Sequence, residues 1–242
     1  MPIVTLLREE KGKLAKEIST ARVVIRLIIG IAIMSAAFFG SAGTLDWPEA
    51  WLYMISQFAF SGAVALWLKK KNPDLLKDRM TFFKSSARGW DKAVFWIMTV
   101  VFIPYLFLPG LDAIRYQWSS VPLFIKVFGF MAIAASLLMI SWVMRENTYL
   151  SRVVEIQRER GHRVITTGPY QYIRHPMYVA VIAQLICIPL ALGSLLTLIP
   201  ASLLTALLVI RTHFEDKTLN SELEGYKAYS EKVKYKLVPR VW

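Results

Sequence analysis

Thr166-Thr167-Gly168-Pro169-Tyr170-Gln171-Tyr172-Ile173-Arg174-His175-Pro176-Met177-Tyr178 is a polar, aromatic and proline-stiffened stretch. It lies between apolar segments long enough to span a bilayer. A mere connecting loop has little need of an Arg-His pair followed at once by Pro and Tyr. Pro176 suits the first turn of the next helix, where its missing N–H costs nothing. The start of that helix offers free amides and a positive dipole end to an anionic group. The stretch therefore reads as a site built where a membrane helix begins.

The surrounding composition sets the environment. The chain has 242 residues, of which 55% are hydrophobic. Its mean hydropathy of +0.44 is too high for an ordinary soluble domain. Several runs approach the ~20 residues that cross a bilayer as a helix. Working outward from the quoted stretch, residues 177–192 and 195–210 form two apolar arms joined by Gly193-Ser194, a helical hairpin. Upstream, spans are expected at residues 23–42, 50–68, 90–109 and 122–144. Arg26 in the first is expected to snorkel to the near interface, and Pro104 in the third is expected to bend it. The reading is an all-α integral membrane bundle of about six transmembrane helices.

Between the spans, Trp47 and Trp51 are placed as interfacial anchors. Asn72-Pro73-Asp74 reads as a turn and N-cap opening a short helix to Met80. Residues 111–121 are expected in the far interface. The division is a charged amphipathic segment at 1–22, suited to a membrane surface, spans within 23–144, and a core at 145–242. The tail from Arg211 is expected to return to water as a solvated helix ending near Pro239.

Net charge is +12. Its distribution favours membrane topology over a nucleic-acid partner. Lys and Arg are rich in the N-terminal segment, at 69–92, at 145–174 and in the tail, and sparse in the alternate connections. This alternation puts both termini on the cytoplasmic side. The membrane is then the cell membrane in a prokaryote or the endoplasmic reticulum in a eukaryote. Charged first residues, with no small-residue site closing the first apolar run, argue against a cleavable signal peptide.

Some chemistries are excluded. The single cysteine, Cys187, lies in an apolar run and offers no disulfide framework. Three histidines without nearby cysteines or paired carboxylates make no metal site. There is no Gly-x-Gly-x-x-Gly, no phosphate-binding Gly-Lys-Ser/Thr loop and no Gly-x-Ser-x-Gly elbow. No Asp or Glu is expected inside a span, which argues against a proton-coupled transporter.

Concentrated polarity remains at Glu155–Tyr178 and Arg211–Glu215. Each group has a plainer reading. Arg174-His175 could be interfacial positive charge, Tyr170, Tyr172 and Tyr178 an aromatic belt, and His162 a loop histidine after Gly161. Arg211 and Glu215 stand four apart on one helical face, where a salt bridge is worth a few tenths of a kcal/mol. Ionisable groups at the end of a span are nonetheless candidates for a site. His213 points elsewhere and reads as a bystander.

Gly168-Pro169-Tyr170-x-Tyr172-x-Arg174-His175-Pro176-x-Tyr178, followed by an apolar hairpin and Arg211-x-x-x-Glu215, resembles the isoprenylcysteine carboxyl methyltransferase family. Related membrane methyltransferases, phospholipid N-methyltransferases among them, share the pattern. The lead-in Glu155…Gly161-His162-x-Val164-Ile165-Thr166-Thr167 and the tail Gly225-Tyr226-x-x-Tyr229…Pro239 are similar too, with a looser likeness at Asn72-Pro73-x-Leu75-Leu76. The resemblance covers roughly residues 145–242. It implies an integral membrane enzyme using S-adenosyl-L-methionine without a Rossmann-type fold.

By the same resemblance, the cofactor lies between the loop before the hairpin and the helix after it. The matching positions are Glu155, His162, Val164, Ile165, Gly168, Tyr170, His175, Pro176, Met177, Tyr178 and Glu215. Arg211 matches a substrate position, and Arg211 or Arg174 would orient a carboxylate acceptor, acting in catalysis by that grip. Glu155 departs from members with an amide there, and Glu215-Asp216 replaces a longer acidic run. The expected partners are the lipid bilayer and a lipophilic methyl acceptor, most simply an isoprenylcysteine-type carboxylate. A phospholipid amine, a small thiol, and a non-enzymatic transporter or scaffold are the alternatives. Oligomeric state is left open.

Overall fold

The computed structural model describes residues 19–81 and 88–242, and these are helical and irregular throughout. Among the described residues eight α-helices follow one another: α1 Thr20–Ala42, α2 Pro48–Lys71, α3 Pro73–Met80, α4 Gly89–Gly110, α5 Leu123–Glu146, α6 Pro176–Leu192, α7 Leu198–Glu222 and α8 Tyr226–Lys232. Five are long and apolar enough to cross a membrane, α4 counting with the π-helical turn Leu111–Arg115 that continues it. The sixth expected span, α6, is shorter at 17 residues. The chain is thus an all-helical, multi-pass membrane protein. The surface-helix expectation for residues 1–22 falls almost wholly outside the described residues.

Lipid-facing positions explain the exposed Ile28, Ile33, Leu52, Val100, Phe128 and Leu138. Between helices the contacts are made by small residues. A Cβ on Gly129 of α5 would stand 2.8 Å from the Ala191 nitrogen and 3.0 Å from the Cys187 oxygen of α6. Only glycine allows that approach, which is how helices associate where lipid removes the hydrophobic driving force. Phe38, Trp47, Tyr53, Ile133, Ile188 and Leu192 fill the core beside it.

Helix α3 departs from the bundle. Asn72 caps it by accepting from the Leu75 amide at 3.2 Å, as the Asn-Pro-Asp sequence predicts. Leu75 and Leu76 are buried against Leu68, Ile140, Met144 and Ala180, which seats α3 on the start of the hairpin. Arg26 does not merely snorkel. Its guanidinium donates to the Met80 carbonyl, a cation at the C-terminal end of α3.

At the opposite end of the hairpin, α6 rises only about 25 Å, less than the roughly 30 Å hydrocarbon core. The polar groups of its turn must therefore be satisfied by protein. Asp112 does this: its Oδ2 accepts from Ser119 Oγ (2.7 Å), Ser194 Oγ (2.6 Å) and the Leu196 amide (3.1 Å). Asp112→Ala strands these donors and is expected to cost at least about 2 kcal/mol, since hydrogen bonds to charged groups contribute about 1.5–3 kcal/mol each. A thermal melt of the purified protein in detergent checks this; an unchanged midpoint would show the turn is held by packing alone.

Two expectations are corrected. Acidic residues do lie within a span: Asp91 (3% exposed) in the first turn of α4 and Asp112 (0%) just past its end. Asp91 is paired with Arg211, and Asp112 is hydrogen-bonded through Oδ2, which offsets the cost of their burial. The tail is not one solvated helix. The last span continues unbroken to Glu222, and the chain then turns at Gly225 into α8. Tyr226 and Tyr229 are buried against Ile156, Val164, Leu219 and Val233, so apolar burial folds the tail back onto the protein.

Candidate active site

The returning tail and the Gly168–His175 loop are tied together by backbone. The Arg174 amide donates to the Tyr235 carbonyl and the His175 amide to the Lys236 carbonyl, both at 3.0 Å. Tyr229 Oη donates to the Tyr170 carbonyl at 2.7 Å. Gly168 adopts φ +58°, and a Cβ there would come within 2.6 Å of Glu146 Cγ and 2.9 Å of Trp142 Nε1. A side chain at 168 would meet both strain and α5, so glycine lets the loop turn flat against that helix. Pro176 then begins α6 at N1.

At the centre of this junction is Asp216, one residue past the expected Glu215. Arg174 grips it with Nε on Oδ1 (2.8 Å) and Nη2 on Oδ2 (3.0 Å). Its Nη1 donates to the carbonyls of Val233 (2.8 Å) and Lys234 (3.1 Å). His175 Nε2 lies 3.3 Å from Oδ1, Tyr226 Oη donates to Oδ1 at 2.9 Å, and Lys236 Nζ is 3.5 Å from Oδ2. Burial and the Asp216 charge together push the Tyr226 hydroxyl well above its ordinary pKa, so it stays a donor.

A second network runs along the other side. Arg211 Nε and Nη2 approach the two oxygens of Asp91 at 2.8 and 3.4 Å, and Nη2 also donates to the Arg152 carbonyl at 2.7 Å. Asp91 Oδ2 accepts the Val154 amide at 2.9 Å, joining α4, α7 and the 152–154 loop. Arg211 and Glu215 do share a helical face, but the hydroxyl of Tyr178 stands between them. It accepts from Arg211 Nη1 at 2.8 Å and donates to Glu215 Oε2 at 2.5 Å.

These networks wall a cavity of about 610 Å³. Among the expected site residues, Glu155, His162, Val164, Ile165, Tyr170, Arg174, His175, Met177, Tyr178, Arg211 and Glu215 all line it. Gly168 and Pro176 stand behind the wall and shape it. The polar part carries aromatic faces: Tyr149 stacks on His162 (centroids 4.5 Å apart) and His175 on Tyr178 (5.9 Å). Burial, and then the Arg160 charge, lower the His162 pKa from its ordinary value, leaving its Nδ1 to accept the Gln157 amide at neutral pH. The remaining wall is apolar, with Phe95, Met98 and Phe102 of α4 facing Val181, Leu185 and Leu204 of the hairpin. One chamber is therefore polar at one end and apolar at the other. His213 is exposed.

Three contributors escape sequence reasoning: Asp91 and Asp216, which set the networks, and Arg79, which lines the cavity. The signal for Asp216 was its place beside Glu215, one residue round the helix. For Arg79 it was helical spacing from Leu75 and Leu76.

The description of the family whose model matches residues 127–221 is isoprenylcysteine carboxyl methyltransferase (ICMT) family. No curated protein matches the chain. Among solved structures, that of the eukaryotic intramembrane Ras methyltransferase ICMT (isoprenylcysteine carboxyl methyltransferase) is similar at 16% identity and TM-score 0.49, covering 100% of this chain and 88% of that one. The matched residues 127–221 carry Arg174, Asp216 and the hairpin between them, so the part of the chain similar to the isoprenylcysteine carboxyl methyltransferase family is the part that builds most of the cavity wall.

Proposed function

We propose that this protein is a membrane methyltransferase that binds S-adenosyl-L-methionine in the polar end of the cavity and methylates the carboxylate of a lipophilic acid, of isoprenylcysteine type, held in the apolar end. The observation that carries this reading is the single chamber with two chemically opposed walls. A soluble cofactor and a membrane-dissolved acceptor need such a chamber to meet.

The polar wall fits the cofactor. Pro176 at N1 leaves the Met177 amide at the start of α6 free for a carboxylate. Glu215 suits ribose hydroxyls or an ammonium, and the faces of Tyr170 and Tyr178 suit a sulfonium through cation–π attraction. When bound, the cofactor supplies an activated methyl group for in-line displacement. The chain's part is alignment and exclusion of water. No base is required, because a carboxylate is already ionised at neutral pH. Arg174 has a partner at each nitrogen, so we assign it to holding Asp216 and the tail, and thereby positioning His175. Arg211 keeps Tyr178 and Glu215 in register. The charge alternation supports cytoplasmic termini and a cytoplasmic polar end. The acceptor alternatives differ chemically: an amine or thiol would need a base, and His162 in the polar wall is engaged at Nδ1.

Purified protein in detergent should bind S-adenosyl-L-methionine with a measurable affinity. Tyr178→Phe, which removes the hydroxyl between Arg211 and Glu215, should weaken this by about tenfold, the factor for one hydrogen bond to a charged group. Isotope-labelled methyl supplied to membranes should appear as base-labile ester. Stable label in lipid would replace the carboxylate reading with N-methylation, and no cofactor binding by the wild-type protein would overturn the methyltransferase reading itself.

A further inference from the structure

The cavity contains cations of very different standing. Arg174 is consumed by Asp216 and three tail carbonyls. Arg211 is consumed by Asp91, the Arg152 carbonyl and Tyr178. Arg79 also lines the cavity, yet no hydrogen bond or ion pair joins its side chain to another described residue. Its position is fixed all the same. On the short helix α3, Leu75, Leu76, Arg79 and Met80 fall on one face by i, i+3, i+4 spacing. Leu75 and Leu76 are fully buried and Met80 packs beside them, so Arg79 is carried inward on the face that docks against the hairpin. Lys77 on the other face is exposed. Asp78, the neighbouring acid, is taken by Arg160 at 2.7 Å, which also locks α3 to the 148–160 loop.

The surroundings favour an anion at this point. Arg79 is within electrostatic reach of Arg152, Tyr170 and Tyr178, all of which line the same cavity. Burial, and then the Arg152 charge, push the guanidinium down to about 10, the direction expected of a cation without a counter-charge among the described residues. It remains charged at neutral pH. A partly buried guanidinium without a partner among the described residues costs free energy unless a ligand anion completes it. Its fork matches both oxygens of a carboxylate.

We propose that Arg79, on a helix outside the family-matched residues, is the receptor for the acceptor's carboxylate in this cavity, and that it lets the protein distinguish the acid from its methyl ester. This rests on the methyltransferase reading of the same site. In the transfer, one carboxylate oxygen forms the O–CH3 bond as the S–CH3 bond breaks, and that electron pair stays on sulfur. Anion and sulfonium become neutral ester and thioether. The ester no longer carries the charge that Arg79 grips, so the contact that holds the substrate is lost on product formation and release follows.

The test compares binding of N-acetyl-S-farnesylcysteine with that of its methyl ester, by displacement of a fluorescent prenyl probe from protein in detergent, without turnover. Wild type should prefer the acid by about tenfold or more, as one charge-assisted pair provides. Arg79→Gln should bring the ratio near one by weakening the acid alone, and Arg79→Lys should keep part of it. Cofactor affinity should stay within twofold in both variants. An acid preference that survives Arg79→Gln, or its absence from wild type, overturns the proposal. So does loss of cofactor affinity with the ratio intact, which would assign Arg79 to the cofactor's own carboxylate. Failure of the methyltransferase reading shows separately, as a wild-type protein that binds no S-adenosyl-L-methionine.

Discussion

Asp216→Ala should cause the largest loss of stability of any single substitution in residues 145–242. The carboxylate is 5% exposed and takes bonds from Arg174, His175 and Tyr226, with Lys236 at 3.5 Å. Removing it leaves the Arg174 guanidinium buried with only carbonyls around it. Breaking one side of a buried ion pair costs about 3–5 kcal/mol, because the remaining charge stays desolvated. For a chain of this size that corresponds to a midpoint lowered by roughly 10 °C. The loss should also be local in kind. The tail is held to the loop by Arg174 Nη1 on Val233 and Lys234, and by the amides of Arg174 and His175 on Tyr235 and Lys236. Once Arg174 is released, the segment after Glu222 should become the first site of limited proteolysis. Asp216→Asn should fall between, since it keeps the shape but presents an amide N–H2 to Arg174 at one oxygen position. An alanine variant that melts with wild type and keeps its tail protected would show that Tyr226 and Tyr229 dock the tail by apolar burial alone.

The same residues show where sequence reading reaches its end. The spans were legible because lipid imposes one rule over about 20 residues at a time. Helix α3 was legible because Asn72-Pro73 is a local signal with a local mechanism. Most of the polar cavity wall was legible because the motif from Gly168 to Tyr178 is contiguous and meets Arg211 and Glu215 across one hairpin. What escaped was non-local. Asp91 reads in sequence as an acid favoured in the first turn of a helix, and nothing in its neighbourhood announces an arginine 120 positions away. The tail looked solvated because its charges outnumber its tyrosines, yet Tyr226 and Tyr229 are buried and decide its path. Asp112 looked interfacial because the shortness of α6, which draws the hairpin turn inward, shows only once the helix has ends.

This pattern has a consequence for the site. Cations in a membrane enzyme are informative only after their partners are known. Arg174 and Arg211 stand in the conspicuous motifs, but each is matched by a buried aspartate. Such pairs fix geometry, and the attraction they provide is spent within the protein. A ligand's anion is drawn instead to a positioned cation that lacks a match among the described residues, and this is the ground on which Arg79 is proposed as the acceptor's receptor.

The second large effect is expected at the Arg211–Asp91 pair, and it should appear as coupling. Arg211 links α4, the 152–154 loop and the Tyr178–Glu215 hydrogen bond. Asp91 lies under it, 3% exposed, and receives the Val154 amide on the same oxygen that Nη2 approaches. Either alanine variant releases the loop that carries Arg152 and Val154 and lets Tyr178 turn from Glu215. Methyl transfer should therefore fall by about 100-fold in Arg211→Ala, the loss expected when a reacting pair is misplaced by about 1 Å. Asp91→Ala should approach this value although it does not line the cavity. The double variant should be little worse than either single one, giving a coupling of about 2–3 kcal/mol, the upper range for residues in one buried network. If Asp91→Ala instead keeps activity within twofold while Arg211→Ala does not, Arg211 acts on the acceptor directly. The spare N–H on its Nη1 would then be the group that does so, and the ion pair would be only its anchor.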